Sequence, residues 1–225
     1  MATAESKPDA ATLAPTPLID SDHPAVVQFA ARAHGSTPRE RAVALYYLVR
    51  DEVRYDPYRI DLSISGLRAS RALECGYGWC VPKAALLAAV ARAAGIPARV
   101  GYADVRNHLS TQRLRDLLQT DLYVWHGFTE LWIDDDWVKA TPAFNLSLCE
   151  RFGIHPLDWD GRHDSIYHPY DKEGRRHMEY VSQRGSFDDV PLARIAADFG
   201  AMYPRWVKVP QADADFAADA AREAR

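Results

Sequence analysis

The sequence predicts an α+β domain in which a buried helix with a cysteine at its start packs on an antiparallel β-sheet, and three stretches predict it. The first is Gly76-Tyr77-Gly78-Trp79-Cys80-Val81-Pro82-Lys83, which runs into an Ala- and Leu-rich segment ending at Gly95. The second is a pair of strand-like segments, 98–105 and 122–133. The third is the turn Asp134-Asp135-Asp136, which leads into Trp137 to Thr141.

The first stretch reads as a loop that becomes a helix at Cys80. Pro82 suits the opening turn, because an N–H there has no intrahelical partner, and Gly95 supplies the stop before Ile96-Pro97. Between them only Lys83 and Arg92 carry charge. A helix apolar on nearly every face is expected to be buried. A cysteine at its start meets free N–H groups and the positive end of the dipole, which favour a thiolate and hence a nucleophile. The plainer alternative is a small buried hydrophobe.

In the hairpin, a loop of two residues (Asp134 and Asp135) or of four (Ile133 to Asp136) sets Trp132 opposite Trp137 and Glu130 opposite Lys139. An aromatic pair and an opposite-charge pair favour that register over a three-residue loop. Simple alternation then puts His126, Phe128, Glu130 and Thr141 on one face, with Asn145 joining them if the strand runs past Pro142.

The remaining chain is read in order. Residues 1–22 form an arm rich in Ala, Thr, Pro and Asp, mobile or draped, with an edge strand possible through Thr16 to Ile19. A helix is expected from His23 to His34, and another after the capping box of Thr37, Pro38 and Glu40, running to about Val53. Tyr55 to Ile64 is extended and aromatic; Leu67 to Glu74 is a short helix. Arg106 to Thr120 carries a stripe of Leu114, Leu117 and Leu118, a short amphipathic excursion between strands and a plausible lid. Leu148 to Tyr180 is irregular and rich in His and Asp, yet its aromatic residues argue for packing. Val190 to Tyr203 is one more helix, and Asp213 to Arg225 a frayed or disordered end. The expected division is an arm at 1–22, one domain at 23–205 with its core at about 69–145 and an extension at 146–205, and a tail at 206–225.

Composition narrows the function. With 27 basic and 31 acidic residues and a net charge of -4, the chain offers no basic stripe, so no nucleic-acid or anionic-membrane partner is expected. Three cysteines, Cys75, Cys80 and Cys149, are too few for a disulfide framework. No run reaches the length of a membrane span and no leader pattern opens the chain, so a cytoplasmic home is the expectation. No cofactor is called for. His155, Asp158, Asp160, His163 and His168 match no zinc spacing, and a solvated surface is the expectation there, with no metal site.

A thiol nucleophile needs a base and a group to orient that base. His126, mid-strand on a face expected to meet a helix, is the candidate base, although a lone histidine between Trp125 and Phe128 is often just a core residue. Gly78-Trp79-Cys80 opening an Ala/Leu-rich helix, Gly95-Ile96-Pro97-Ala98-Arg99-Val100, the strand His126-Gly127-Phe128-Thr129-Glu130-Leu131, then Trp137-Val138 and a proline, together resemble the transglutaminase-like superfamily of papain-type cysteine enzymes over about Ala69 to Asn145.

The resemblance implies a papain/transglutaminase-like core. It implies Cys80 as acyl-accepting nucleophile, His126 as its base, and acyl transfer or hydrolysis at an amide- or peptide-type carbonyl through a thioester. It also implies an aspartate before a proline as the orienting group, and here that position is Thr141, followed by Pro142; a hydroxyl accepts a hydrogen bond but carries no charge. Asn145 is the alternative. The oxyanion would meet the Cys80 N–H and one further donor, with the Trp79 indole a candidate. The missing aspartate leaves a rival, a catalytically silent scaffold that binds a partner through its His- and Asp-rich extension.

Overall fold

A helix with so few polar side chains has to find cover on every side, and the fold is arranged to supply it. The computed structural model describes residues 7–108, 110–166, 172–174, 178–208 and 214–223. Helices α1 (Pro24–Ala30) and α2 (Pro38–Glu52) come first. At α2 both halves of the capping box form, Thr37 accepting from the Glu40 N–H and Glu40 accepting from the Thr37 N–H. The two-residue strand β1 (Arg54–Tyr55) pairs in parallel with β2 (Tyr77–Gly78), and α3 (Ile64–Leu67) and α4 (Ala69–Cys75) lie between them. Helix α5 (Cys80–Ala93) follows at once.

The sheet comes next, as β3 (Ala98–Asn107), β4 (Leu122–Ile133) and β5 (Asp136–Ala140), with α6 (Gln112–Leu118) between β3 and β4. After α7 (Leu146–Phe152) the chain returns as β6 (Met178–Phe187), which pairs antiparallel with β3 and gives the strand order β5-β4-β3-β6. Helices α8 (Leu192–Met202), α9 (Pro204–Lys208) and α10 (Phe216–Glu223) close the chain.

Every residue of α5 except Ala93 is buried, with α1, α2 and α4 packed on it as well as β3 and β4. Gly95 takes the left-handed conformation (φ 77°) and the Ile96 N–H closes back on Ala91, a glycine stop of the expected kind. Both charges on the helix are buried and used. Lys83 Nζ donates to the carbonyls of Arg50 (2.9 Å) and Val53, capping the C-terminal end of α2, while burial pushes the ammonium down to about 7. Arg92 donates to the carbonyls of Ala98 (2.9 Å), Ala14 (2.7 Å) and Asp188 (2.7 Å).

The hairpin register is as the sequence predicts, Trp132 facing Trp137 and Glu130 facing Lys139 around a two-residue loop. Asp134 and Asp135 both have positive φ (52° and 67°), the twist that two-residue loops need. Four expectations differ. Residues 16–19 form no strand; the arm is draped, with Leu18 and Ile19 buried and the Leu18 carbonyl accepting from the Ala69 N–H. Residues 178–187 form a strand that begins inside the segment expected to be irregular and runs on through residues for which no element is predicted, because an edge strand open to solvent buries little and shows no clean alternation. The face of β4 against α5 is that of Gly127 and Thr129, whose hydroxyl donates to the Ala84 carbonyl (2.8 Å), rather than that of Phe128 and Glu130. Finally, the end of the chain is packed: Trp206, Phe216 and Ala220 are buried, and Asp219 accepts from the Tyr58 hydroxyl (2.9 Å).

Candidate active site

Cys80 stands at the first position of α5 because Gly78 and Trp79 are extended and the helical hydrogen bonds begin with the Lys83 N–H to the Trp79 carbonyl. His126 stands on β4 just past an irregularity. Ala103 pairs with His126 but Val105 pairs with Tyr123, so Val124 and Trp125 together face Asp104, and Trp125 takes a left-handed φ of 60°. The two predicted residues line one pocket. Its walls are aromatic: Tyr55 from β1, Tyr123 from β4 and Phe144 from the segment before α7, Trp79 beside the cysteine, and Phe199, Tyr203 and Trp206 from α8, its C-terminal cap and α9.

The pocket is tight. Its free space is about 20 Å³, room for one water molecule, and Cys80 and His126 are only 9% and 6% exposed. A larger groove of about 550 Å³ lies among Ala25, Phe29, Arg32, Glu52 and Gly76, and holds neither residue. Trp206 donates its indole N–H to the Pro57 carbonyl (2.8 Å), and Tyr203 donates to the Leu122 carbonyl (2.7 Å) while accepting from the Val124 N–H (2.8 Å). The cover over the pocket therefore comes from the C-terminal helices, whereas among the described residues of the Arg106 to Thr120 excursion only Asn107 reaches it.

Electrostatics set the resting forms. Burial pushes the Cys80 thiol up to about 11, and the backbone N–H groups of Gly127 and Val81, which favour a thiolate, offset only part of that. The expected thiolate-stabilising helix start is thus present but outweighed. Burial also pushes the His126 imidazole down to about 4. Near neutral pH the pair rests as thiol and neutral imidazole.

The third position is occupied elsewhere. Thr141 is buried, but its hydroxyl donates to the Ile166 carbonyl (2.8 Å) and its N–H to the Ser165 carbonyl (2.9 Å). Strand β5 has ended at Ala140, and the 165–166 segment draws Thr141 away from the ladder. Asn145 accepts from the Tyr55 N–H (3.0 Å) and donates to Ser147 (2.8 Å) at the start of α7, not on an extension of β5. His126 Nε2 is buried and has no hydrogen-bond partner among the described residues. The structure brings Cys80 and His126 together but bonds neither Thr141 nor Asn145 to the imidazole.

Of the His- and Asp-rich residues, His168 lies outside the described residues. Asp160 accepts from the backbone of Arg162 and His163 and pairs with the His163 ring (2.8 Å), which holds its carboxyl well below the usual range. No group of three or more metal-ligating side chains occurs among the described residues. The Leu157 carbonyl accepts from Tyr46 and Arg50 (both 2.8 Å) and Trp159 is buried, so the segment is packed at residues 157–159, while the Asp158 and His163 side chains are exposed. No helix among the described residues is long and apolar enough to cross a membrane. Sequence reasoning missed the aromatic cover; the spacing of Ile195, Phe199, Tyr203 and Trp206 at helical intervals was the available signal.

A mixed α+β domain with a cysteine heading its central helix and a histidine on the adjoining antiparallel sheet is the class of protein that emerges. The model of the transglutaminase-like superfamily matches residues 27–142, just over half the chain and a span that includes Cys80, His126 and Thr141, and the chain belongs to that superfamily. Among solved structures, a "putative cysteine protease" from Cytophaga hutchinsonii is similar at 18% identity and a TM-score of 0.45, over 78% of this chain and 53% of that one. This chain thus spans about half the length of that protein. No curated protein matches the chain.

Proposed function

We propose that the protein is a cysteine-dependent acyl-transfer enzyme or hydrolase acting on an amide- or peptide-type carbonyl, with Cys80 as nucleophile and His126 as base. The observation that carries this reading is the shared pocket of the two side chains at the start of α5. Because both groups rest neutral, the thiol proton moves to the imidazole as sulfur attacks the carbonyl carbon, and no ion pair stands ready beforehand. The tetrahedral oxyanion takes hydrogen bonds from backbone N–H groups at the helix start, with the Trp79 indole a further donor. The imidazolium then protonates the leaving amine, and water or an amine resolves the thioester. Thr141 keeps a place as a positional counterpart of the orienting residue, contributing shape and no charge.

The first prediction tests this. Cys80→Ser should abolish amide turnover and the iodoacetamide label on the Cys80 peptide, and His126→Gln should slow that labelling in the native protein. Mapping by peptide mass is needed because Cys75 is half-buried and free. Turnover indifferent to Cys80→Ser, or labelling of Cys80 indifferent to His126→Gln, would overturn the proposal.

A second reading is favoured by the unpartnered Nε2 and the one-water pocket: a silent scaffold that keeps the fold and binds a partner. A Cys80 thiol no more reactive than Cys149, which is buried with its thiol pushed up to about 12, would support it.

A further inference from the structure

The geometry points to Asp104, Arg184 and Asp198 as the residues that position His126, by locking the residue before it, Trp125, into the backbone conformation that sets where His126 leaves the sheet. The inference rests on the proposed role of His126 as base to Cys80.

Trp125 is where β4 departs from regular pleating. A bulky aromatic residue rarely adopts φ near +60°, and it persists only where its surroundings fix it. Here both ends of the residue are fixed. Its backbone N–H, facing no ladder partner at the bulge, donates to Asp104 Oδ1 (3.1 Å), and its indole N–H donates to Asp198 Oδ2 (2.8 Å). Arg184 joins the two carboxylates, Nε to Asp104 (2.5 Å) and Nη1 to Asp198 (2.6 Å), and its guanidinium carbon lies 4.6 Å from the centre of the Trp125 ring. Ser182 adds a hydrogen bond to Asp104 Oδ2 (3.1 Å).

Four elements therefore meet on one residue: Asp104 from β3, Ser182 and Arg184 from β6, Asp198 from α8, and Trp125 on β4. A bulge inserts one residue and redirects the side chains after it, since a one-residue slip turns a strand's faces over. His126 is the next residue. Without the lock, β4 has no reason to hold a tryptophan at positive φ, and restoring regular pleat would rotate His126 relative to Cys80. The machinery that would otherwise fix the imidazole, a bond to Nε2, is missing among the described residues. With Nε2 unbonded among the described residues, the backbone has a larger share in setting the direction of the ring.

The test uses the full chain labelled with ¹⁵N-histidine, the His126 signals being assigned by their loss in His126→Gln. Asp198 is 40% exposed, so Asp198→Ala is expected to keep the fold, checked by circular dichroism. In it and in Trp125→Phe, which keeps the ring but loses the indole N–H, the His126 ring signals should shift and titrate closer to the ordinary imidazole value. Iodoacetamide labelling of Cys80 should fall by about tenfold, the order expected for a base displaced by a fraction of an ångström. Asp198→Asn, which still offers an oxygen to the indole N–H, should restore the wild-type signals. His126 signals unchanged in both Asp198→Ala and Trp125→Phe would overturn the inference. If the signals move while wild-type labelling is already indifferent to His126→Gln, the positioning role stands and the proposed catalytic role of His126 falls.

Discussion

Cys80 and His126 illustrate how burial and local dipoles compete over a single group. The helix start offers Cys80 the N–H groups that a sequence reading expects, yet desolvation acts on the whole charge and prevails. For His126 the same effect has a consequence for stability. Its folded-state value near 4 lies below the ordinary 6.5, so between these pH values the unfolded chain holds a proton that the folded chain does not. Stability should fall as pH drops from about 6.5 to about 4 and level off below. Urea unfolding over that range, for the wild type and for His126→Gln, should show the substitution removing a loss of a few kcal/mol. Equal slopes for the two proteins would argue against a buried neutral imidazole. That Cys80 and His126 could be candidates at all was legible in the sequence because each sits in a local pattern, a glycine-flanked helix start and a strand, and the structure lines one pocket with both. That Thr141 would bond elsewhere was not legible, because its partners Ser165 and Ile166 are linked to it by no local pattern.

At the scale of elements, the contact that matters most is between β4 and the start of α5. A Cβ added at Gly127 would lie 3.1 Å from the Cys80 carbonyl oxygen and 3.2 Å from the Val81 Cα, both backbone atoms that move only with the helix. Gly127→Ala is therefore expected to cost about 1–3 kcal/mol of stability, read by denaturant titration, and to change the rate at which Cys80 is alkylated. A fully stable variant with unchanged labelling would show that the helix start yields easily. The hairpin register was readable from side-chain pairs alone, since Trp132 with Trp137 and Glu130 with Lys139 fix it without reference to anything distant. The bulge at Trp125 was not readable, because it is held by residues 21 and 73 positions away, Asp104 and Asp198, that meet it only in the folded chain.

On the scale of the whole molecule, the pocket is built by the middle of the chain and covered by its end. Trp79, Phe199, Tyr203 and Trp206 stack in a cluster with ring centroids 5.2–6.1 Å apart. Trp206→Ala should cost about 3–5 kcal/mol, as large-to-small changes in a core do, and should speed alkylation of Cys80 by widening a space with room for only one water. Thermal unfolding and the labelling rate together check it; slower labelling in a folded variant would contradict the view of α9 as cover. The α+β class and the helix-on-sheet core were predictable from periodicity. The role of the C-terminal helices was not, because amphipathic stripes say that a helix packs but not on what.

Arg92 carries the last consequence. Its side chain is buried, and burial pulls its proton affinity down, yet it is held by carbonyls at positions 14, 98 and 188. Two distant stretches and the strand that follows the helix must supply acceptors before that cation can leave the solvent at tolerable cost. The amino-terminal arm, the first long strand and the turn before α8 thereby share one buried group, so a cut in any of them is expected to weaken the packing of the other two.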